Sequence, residues 1–393
     1  MRPLEGTKVV DMTRFAAGPF AAMQLADMGA EVIKVELPGK GDDLRQWGPP
    51  FIGGEGVYYM LLNKNKKSIT VNTRAPEGVD IVRKLLKNAD VLLENFRPGV
   101  MDRMGLSYEA VHALNPKLVY CSISGYGQKG PLWDKPGFDV MIQAESGFMD
   151  ITGFDVPTRV GIAIADLVGG LYGAQGILTA LIAREKTGEG QHVDIALLDS
   201  LVSLLSYQAG IYIATGESPT RKGNRHPLST PYEDFATEDG RVIIAAGNQR
   251  LWETLCTKVL MQPDLIKDSR FLTMADRNAN EPALKQIIEG ITSRKTTDEW
   301  IKLLGQEGIP CGRIRKVGEV LESENTKGRE MMVEAEDPAR GKMKLLGIPV
   351  KLSNTPGDIR LMPPLLGQHT EEVLKELGYS EEEVKELKSR GIV

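Results

Sequence analysis

Hydrophobic positions along the first third of the chain come in short runs of two alternating kinds. Lys8-Val-Val-Asp-Met-Thr13 reads as a strand, and Arg14-Phe-Ala-Ala-Gly-Pro19 as the loop leading into a helix from about Pro19 to Met28. Pro19 suits a first helical turn and Gly29 a helix stop. Ala30-Glu-Val-Ile-Lys-Val-Glu36 is a second strand, which completes a βαβ unit. Further strands are expected at 67–72, 90–94 and 117–123, with helices near 76–87 and 107–114. Such alternation implies an α/β fold, with a Rossmann-like parallel sheet covered on both faces.

From 137 to 214 the pattern turns helical, with segments at about 138–146, 166–185 and 196–214 and a short strand at 191–195. Residues 215–231 are rich in glycine, proline and polar groups. A second unit begins near 232. Asp239-Gly240 marks a hairpin between Phe235-Ala-Thr and Arg241-Val-Ile-Ile-Ala245. Helices are expected near 249–259, 281–292 and 297–305, strands at 342–346 and 348–352, and amphipathic helices at 369–377 and 380–389.

Composition narrows the function. The net charge is −5 and the basic residues form no tract, which argues against nucleic acid as partner. Cys121, Cys256 and Cys311 are odd in number and far apart, as suits a reducing cytoplasm. His112, His192, His226 and His369 lack metal-ligand spacing. No basic-then-apolar signal pattern opens the sequence, and the apolar segments carry glycines and read as too interrupted to span a membrane.

One residue breaks the apolar pattern sharply. Asp166 follows six neutral residues after Arg159 and precedes seventeen uncharged ones before Arg184. A carboxylate there is costly unless something stabilises or uses it. At the start of a buried helix it reads either as an N-cap or as a nucleophile that takes an acyl group. Gly169, Gly170 and Gly173 weaken the first helical turns, so bare backbone or close approach is needed there.

A dinucleotide site would need G-x-G-x-x-G in the first βα turn. Phe15-Ala-Ala-Gly-Pro-Phe20 stands there instead, although Glu36 ends the second strand where a ribose-binding acid would sit. A second constellation follows the strand at 90–94: Leu93-Glu-Asn-Phe-Arg-Pro-Gly-Val-Met-Asp-Arg-Met-Gly105. Asn95 offers an amide, Phe96 an aromatic face, and Arg97 and Arg103 positive charge. An adenine nucleotide calls for that set, and an ordinary βα loop also contains it.

These stretches resemble the class III coenzyme A transferases (CaiB/BaiF type). The resemblance runs through Pro3-Leu-Glu-Gly6, Arg14-Phe-Ala-Ala-Gly-Pro19, Gly29-Ala-Glu-Val-Ile-Lys-Val-Glu36, Glu94-Asn-Phe-Arg-Pro-Gly99, Ala165-Asp-Leu167, Lys186-Thr-Gly-Glu-Gly-Gln191, Gly308-Ile-Pro-Cys-Gly312 and Pro364-Leu-Leu-Gly-Gln-His369, in order along one chain. It implies that Asp166 is the catalytic acid, carrying an aspartyl anhydride and then an aspartyl-CoA thioester. It implies CoA contacts from Phe15, Ala16 and Ala17, from Val71, Asn72, Thr73 and Arg74, from Asn95, Phe96, Arg97 and Arg103, and from Lys135. Coenzyme A would come and go as substrate, with no resident cofactor and no metal.

The fold implied is a large domain from 1–200 and 326–393, a linker at 201–225 and a small α+β domain at 226–325. The homodimer would be interlocked and the active site would lie between the domains. The substrates implied are an acyl-CoA, a dicarboxylyl-CoA such as succinyl-CoA, and a carboxylic acid acceptor. Racemases of the same family place a histidine where this chain has Phe138, which moves no proton. Formyl-CoA transferases carry a glutamine in place of Ala16, and Gly137 to Met149 looks more like the dicarboxylate branch. A racemase and a CoA-binding protein without chemistry are the alternatives. Arg14, Arg45, Arg159, Arg225 and His226 could each meet a second carboxylate or simply make surface pairs.

Overall fold

The computed structural model describes residues 1–393. Two compact units divide the chain. The larger comprises Met1–Met149, Arg159–Glu217 and Glu324–Val393, and the smaller Asp150–Thr158 and Ser218–Ser323. The large unit is therefore built from both chain ends.

In the larger unit β1 (Lys8–Asp11), β2 (Glu31–Glu36), β3 (Lys66–Thr70), β4 (Val91–Glu94), β5 (Val119–Ser124) and β6 (His192–Ala196) form one parallel sheet. Its spatial order is β3-β2-β1-β4-β5-β6. The order reverses at β1, with β2 on one side and β4 on the other. The loops after β1 and β4 therefore flank a crevice at the C-terminal edge. Between the strands run α1 (Ala17–Asp27), α2 (Pro76–Lys87), α3 (Tyr108–Leu114), α4 (Asp139–Glu145) and α5 (Ile164–Thr187), followed by α6 (Leu197–Ser203) and α7 (Ser206–Thr215). Pro76 opens α2 with its fixed φ, and Lys84 and Lys87 meet the negative end of its dipole.

Adjacent strand residues feed opposite cores, as a period of two requires. Val10 and Leu92 join Val82, Leu86 and Leu374 on one face, while Val9, Val91 and Leu93 join Ala21, Leu25 and Ile177 on the other.

Several expected boundaries shift. Helix α1 starts at Ala17, two residues before Pro19. The helix expected over 196–214 is two, α6 and α7, bent by 74° at Leu204–Leu205, and Ser206 has φ 47°. Helix α7 fills Ser206–Thr215, where both a helix to 214 and a linker from 201 were expected, and residues to Glu217 group with the larger unit. Helix α5 runs for 24 residues, long and apolar enough by length and composition to cross a membrane, contrary to the interrupted segment expected. Its glycines do not break it because they lie against neighbouring elements that replace the missing side-chain packing. Ala165, Val168, Ala174 and Ile177 make it a core helix.

The smaller unit holds an antiparallel sheet in which β8 (Arg241–Ala245) pairs with β7 (Tyr232–Ala236) and β9 (Cys311–Arg313). Asp239-Gly240 turns the hairpin as expected. Helices α8 (Glu281–Thr292) and α9 (Thr297–Gln306) bury Leu284, Ile288, Trp300 and Leu304 with Phe235 and Trp252.

The remaining C-terminal stretch returns to the larger unit as β10 (Met332–Asp337), β11 (Gly341–Leu346), α10 (Thr370–Glu376) and α11 (Glu381–Ser389). The partner of the 341–346 strand precedes it, and 348–352 forms no strand. Asp337 sets the turn by accepting the Ala339 and Arg340 amides at 2.7 and 2.9 Å.

Candidate active site

A cleft of about 500 Å³ lies at the C-terminal edge of the large sheet. Phe15, Ala16, Ala17, Val71, Thr73, Arg74, Asn95, Phe96, Arg97, Lys135 and Asp166 all line it. Residues 150 apart in sequence meet there because each loop follows the C-terminal end of a parallel strand. Asn72 and Arg103 fall outside the lining. The Asn72 amide binds Ile392 O at 2.7 Å and its side chain accepts the Arg74 amide at 3.2 Å, so it shapes the loop from behind. Arg103 is exposed on the short turn Val100–Arg103.

The loop after β1 is pinned residue by residue. Lys34 Nζ donates to Thr13 O at 2.8 Å. Asn95 accepts the Arg14 amide at 2.8 Å and donates to Arg14 O at 2.7 Å. Its side chain thereby ties two βα loops together, and the residue lines the cleft. Asp42 accepts the Phe15 amide at 3.1 Å. Phe15 itself has φ 62°, which is strained for an aromatic residue. Its ring meets Trp47 and Phe138 edge-on at 5.8 and 5.9 Å. The Arg14 guanidinium lies 5.4 Å from the centre of the Phe96 ring.

Beneath these loops runs a buried ionic layer. Lys34 pairs with Asp42 at 2.9 Å and Lys66 with Asp11 at 3.0 Å, all four without solvent contact. Burial opposes the charge on Lys34, yet Asp42, Asp11 and Glu36 outweigh it and raise its pKa. Arg45 is taken up by Glu36, at 2.7 Å, and by Tyr59 and Glu55. Glu94 accepts the Phe96 amide at 2.9 Å, and burial pushes its carboxyl up to about 7.

Asp166 is the third residue of α5. The N-cap is Ala163, whose side chain accepts nothing, so the capping role considered for Asp166 does not apply. The Ala165 amide, one residue before, is held at 2.8 Å by Asp139, whose other oxygen accepts from Gln143 at 2.7 Å. Burial, then the Asp139 charge, pushes the Asp166 carboxyl up to about 7, and no hydrogen-bond donor offsets them. Such a carboxylate is under-solvated and unusually basic. Tyr58 faces the same charges. Its hydroxyl is pushed up to about 12 by burial first, then by Asp166 and Asp139.

The close approach expected at the α5 glycines is made by neighbouring protein elements. A Cβ on Gly170 would meet Ala17 O at 2.6 Å and Phe20 Cδ1 at 3.1 Å, and one on Gly173 would meet Ile123 Cδ1 at 2.8 Å. A Cβ on Gly169 would run into Leu197. The glycines permit close packing of α5 on α1, β5 and α6, which fixes the height of Asp166 at the cleft wall. Lys34, Asp42 and Tyr58 were not anticipated as site residues. The signal for Lys34 was present, a lysine among Val32, Ile33 and Val35 in a strand buried on both faces.

The family model for CoA-transferase family III matches residues 4–370. The chain belongs to CoA-transferase family III. Over 396 residues it is 42% identical to the succinyl-CoA:glutarate CoA-transferase of Homo sapiens, covering 100% of this chain and 90% of the human one. It is 40% identical over 354 residues to the acetyl-CoA:oxalate CoA-transferase of Acetobacter aceti, covering 89% of each. The crystal structure of a CAIB/BAIF family protein from Brucella suis superimposes with a TM-score of 0.86 at 41% identity, over 96% of this chain and 99% of that one. The protein is therefore a CoA-transferase, acting on CoA thioesters and carboxylic acids. Of the five cations weighed as carboxylate readers, Arg14 alone lines this transferase's cleft. Arg45 is consumed by the buried layer, and Arg225 pairs with Glu281 at 3.2 Å in the smaller unit.

Proposed function

We propose that this CoA-transferase works through covalent intermediates on Asp166. The supporting observation is a carboxyl on the cleft wall that burial raises to about 7 and no donor satisfies. At neutral pH a large fraction is ionised, weakly solvated and nucleophilic. An Asp166 oxygen attacks the donor thioester carbonyl, the C–S bond breaks, and CoA leaves as thiolate with an acyl anhydride on Asp166. The thiolate attacks the Asp166 carbonyl, releasing the donor acid and leaving an Asp166–CoA thioester. The acceptor carboxylate attacks that carbonyl and displaces CoA. The thiolate then attacks the acceptor's acyl carbon, giving the new acyl-CoA and free Asp166. Protons balance, since each carboxylate consumed is matched by one released.

Arg74, Arg97 and Lys135 are the cations we assign to the CoA phosphates, and Phe96 to its base. Phe15, Ala16 and Ala17 line the acyl end. The human relative's name supports a dicarboxylyl donor such as succinyl-CoA. We assign the working form to a homodimer in the cytoplasm. Leu171, Leu178 and Ile182 on α5, with Val202, Tyr212 and Ile213 on α6 and α7, are exposed and apolar, and a second copy is the occupant that would cover them. Unpaired Cys121, Cys256 and Cys311 accord with a reducing compartment.

Asp166→Asn is the test. It should abolish transfer yet bind CoA, and hydroxylamine trapping with mass spectrometry should mark Asp166 in the parent. Transfer at near-parent rate by the variant would refute the mechanism.

A further inference from the structure

We propose that Asp42, seated on the buried ammonium of Lys34, is a positioning residue for the transfer step: it fixes the backbone of Phe15 so that this residue forms the cleft wall at the reacting end. The proposal rests on the reading of Asp166 as the attacking group.

Phe15 occupies the left-handed region, with φ 62°. An aromatic residue stays there only if its surroundings hold it. The holding group is visible. Asp42 Oδ1 accepts both the Phe15 amide, at 3.1 Å, and the Leu44 amide, at 3.0 Å. Its Oδ2 meets Lys34 at 2.9 Å, and the Asp42 amide is held by Glu36 at 2.9 Å. The same Lys34 Nζ grips Thr13 O at 2.8 Å. One buried cation thus fixes both the residue where the loop leaves β1 and the carboxylate that pins Phe15.

What Phe15 then does follows from its contacts. Its ring abuts Phe138, the N-cap residue of α4, at 5.9 Å. The next residue, Asp139, holds the Ala165 amide at 2.8 Å, and Asp166 follows. A slack Phe15 would therefore release part of the cleft lining it shares with Asp166 and loosen Phe138 beside the element that seats it. Arg74 and Arg97, on other loops, would keep their places. The expected signature is a fall in kcat with the acyl-CoA KM nearly unchanged, because displacement of reacting groups by about 1 Å lowers rates by up to about a hundredfold.

Two substitutions isolate the pin. Asp42→Asn keeps an oxygen for both amides. Asp42→Ser can still cap Leu44 but is too short to reach Phe15 as well, and both lose the same charge. We expect kcat of the Ser variant to be about thirtyfold below that of the Asn variant, with acyl-CoA KM values within about threefold of each other. Equal kcat in the two, or a loss confined to KM, would overturn the proposal. Should the Ser variant not fold, Phe15→Gly and Phe15→Pro decide. Both remove the ring, but glycine adopts a positive φ freely while proline cannot and lacks the N–H. Higher kcat for Gly than for Pro, again by about thirtyfold, supports the proposal, and parity overturns it. Asp166→Asn in the same assay tests the underlying reading separately, since its activity would unseat Asp166 whatever the Asn–Ser comparison gives.

Discussion

Asp139 holds the first turn of the helix that carries Asp166. One of its oxygens holds the Ala165 amide at 2.8 Å, and its charge is the second influence, after burial, that lifts the Asp166 carboxyl to about 7. The residue that fixes the turn carrying Asp166 also raises its pKa.

Removing that charge should move the pH profile. Asp139→Asn keeps an oxygen for the Ala165 amide and lowers the Asp166 pKa, because a like charge no longer opposes ionisation. On the proposed mechanism the acid limb of kcat/KM follows the Asp166 carboxyl, so it should shift to lower pH. An unmoved limb would show that another group controls it.

The raised carboxyl also has a stability signature. Asp166 has an ordinary value of 3.8 and a folded value of about 7, so between these the folded state holds the extra proton. Its contribution is present below the unfolded value and is lost as pH rises through the folded one. Asp166→Asn cannot ionise, so it should raise the thermal midpoint more at about pH 8 than at about pH 5. An equal gain at both would contradict the raised pKa.

Arg97 lines the cleft and Arg103 does not. Arg97→Ala should raise the acyl-CoA KM by about tenfold with kcat little changed, as expected for one phosphate contact. Arg103→Ala should have a markedly smaller effect. The reverse ranking in steady-state kinetics would relocate the nucleotide end of the substrate.

Gly170→Ala tests the packing of α5 on α1. The new methyl meets Ala17 O at 2.6 Å, and backbone cannot step aside as a side chain can. A loss of about 2 kcal/mol is expected by denaturant unfolding, together with reduced kcat as the Asp166 turn is displaced. Gly161→Ala, where nothing lies within 4 Å, is the control and should cost far less.

The apolar surface of α5 to α7 should lie at a subunit interface. Ile213, 81% exposed, is the most telling residue there. Ile213→Lys combined with Leu171→Lys should shift the mass seen by light scattering from dimer toward monomer. A monomeric parent protein would remove the basis for the interface.

Much of this protein was legible in its sequence because its signals are local. Short apolar runs alternating with helical segments give the strands and helices of the larger unit, and Asp239-Gly240 gives the hairpin of the smaller unit. Asp166 stood out because a lone carboxylate in an apolar segment is a local anomaly. Tertiary structure decided the rest. That Asp42 answers Phe15, that Lys34 holds both Asp42 and the Thr13 carbonyl, and that Asp139 tunes Asp166 depend on residues brought together at one sheet edge, and sequence separation carries no trace of that. The glycines of α5 make the same point: the sequence required close approach there, but only the packed helices determine that what approaches is α1, not substrate. Propensity and periodicity act over a few residues, whereas burial, charge pairing and steric contact act over a few ångströms, and the fold alone relates the two.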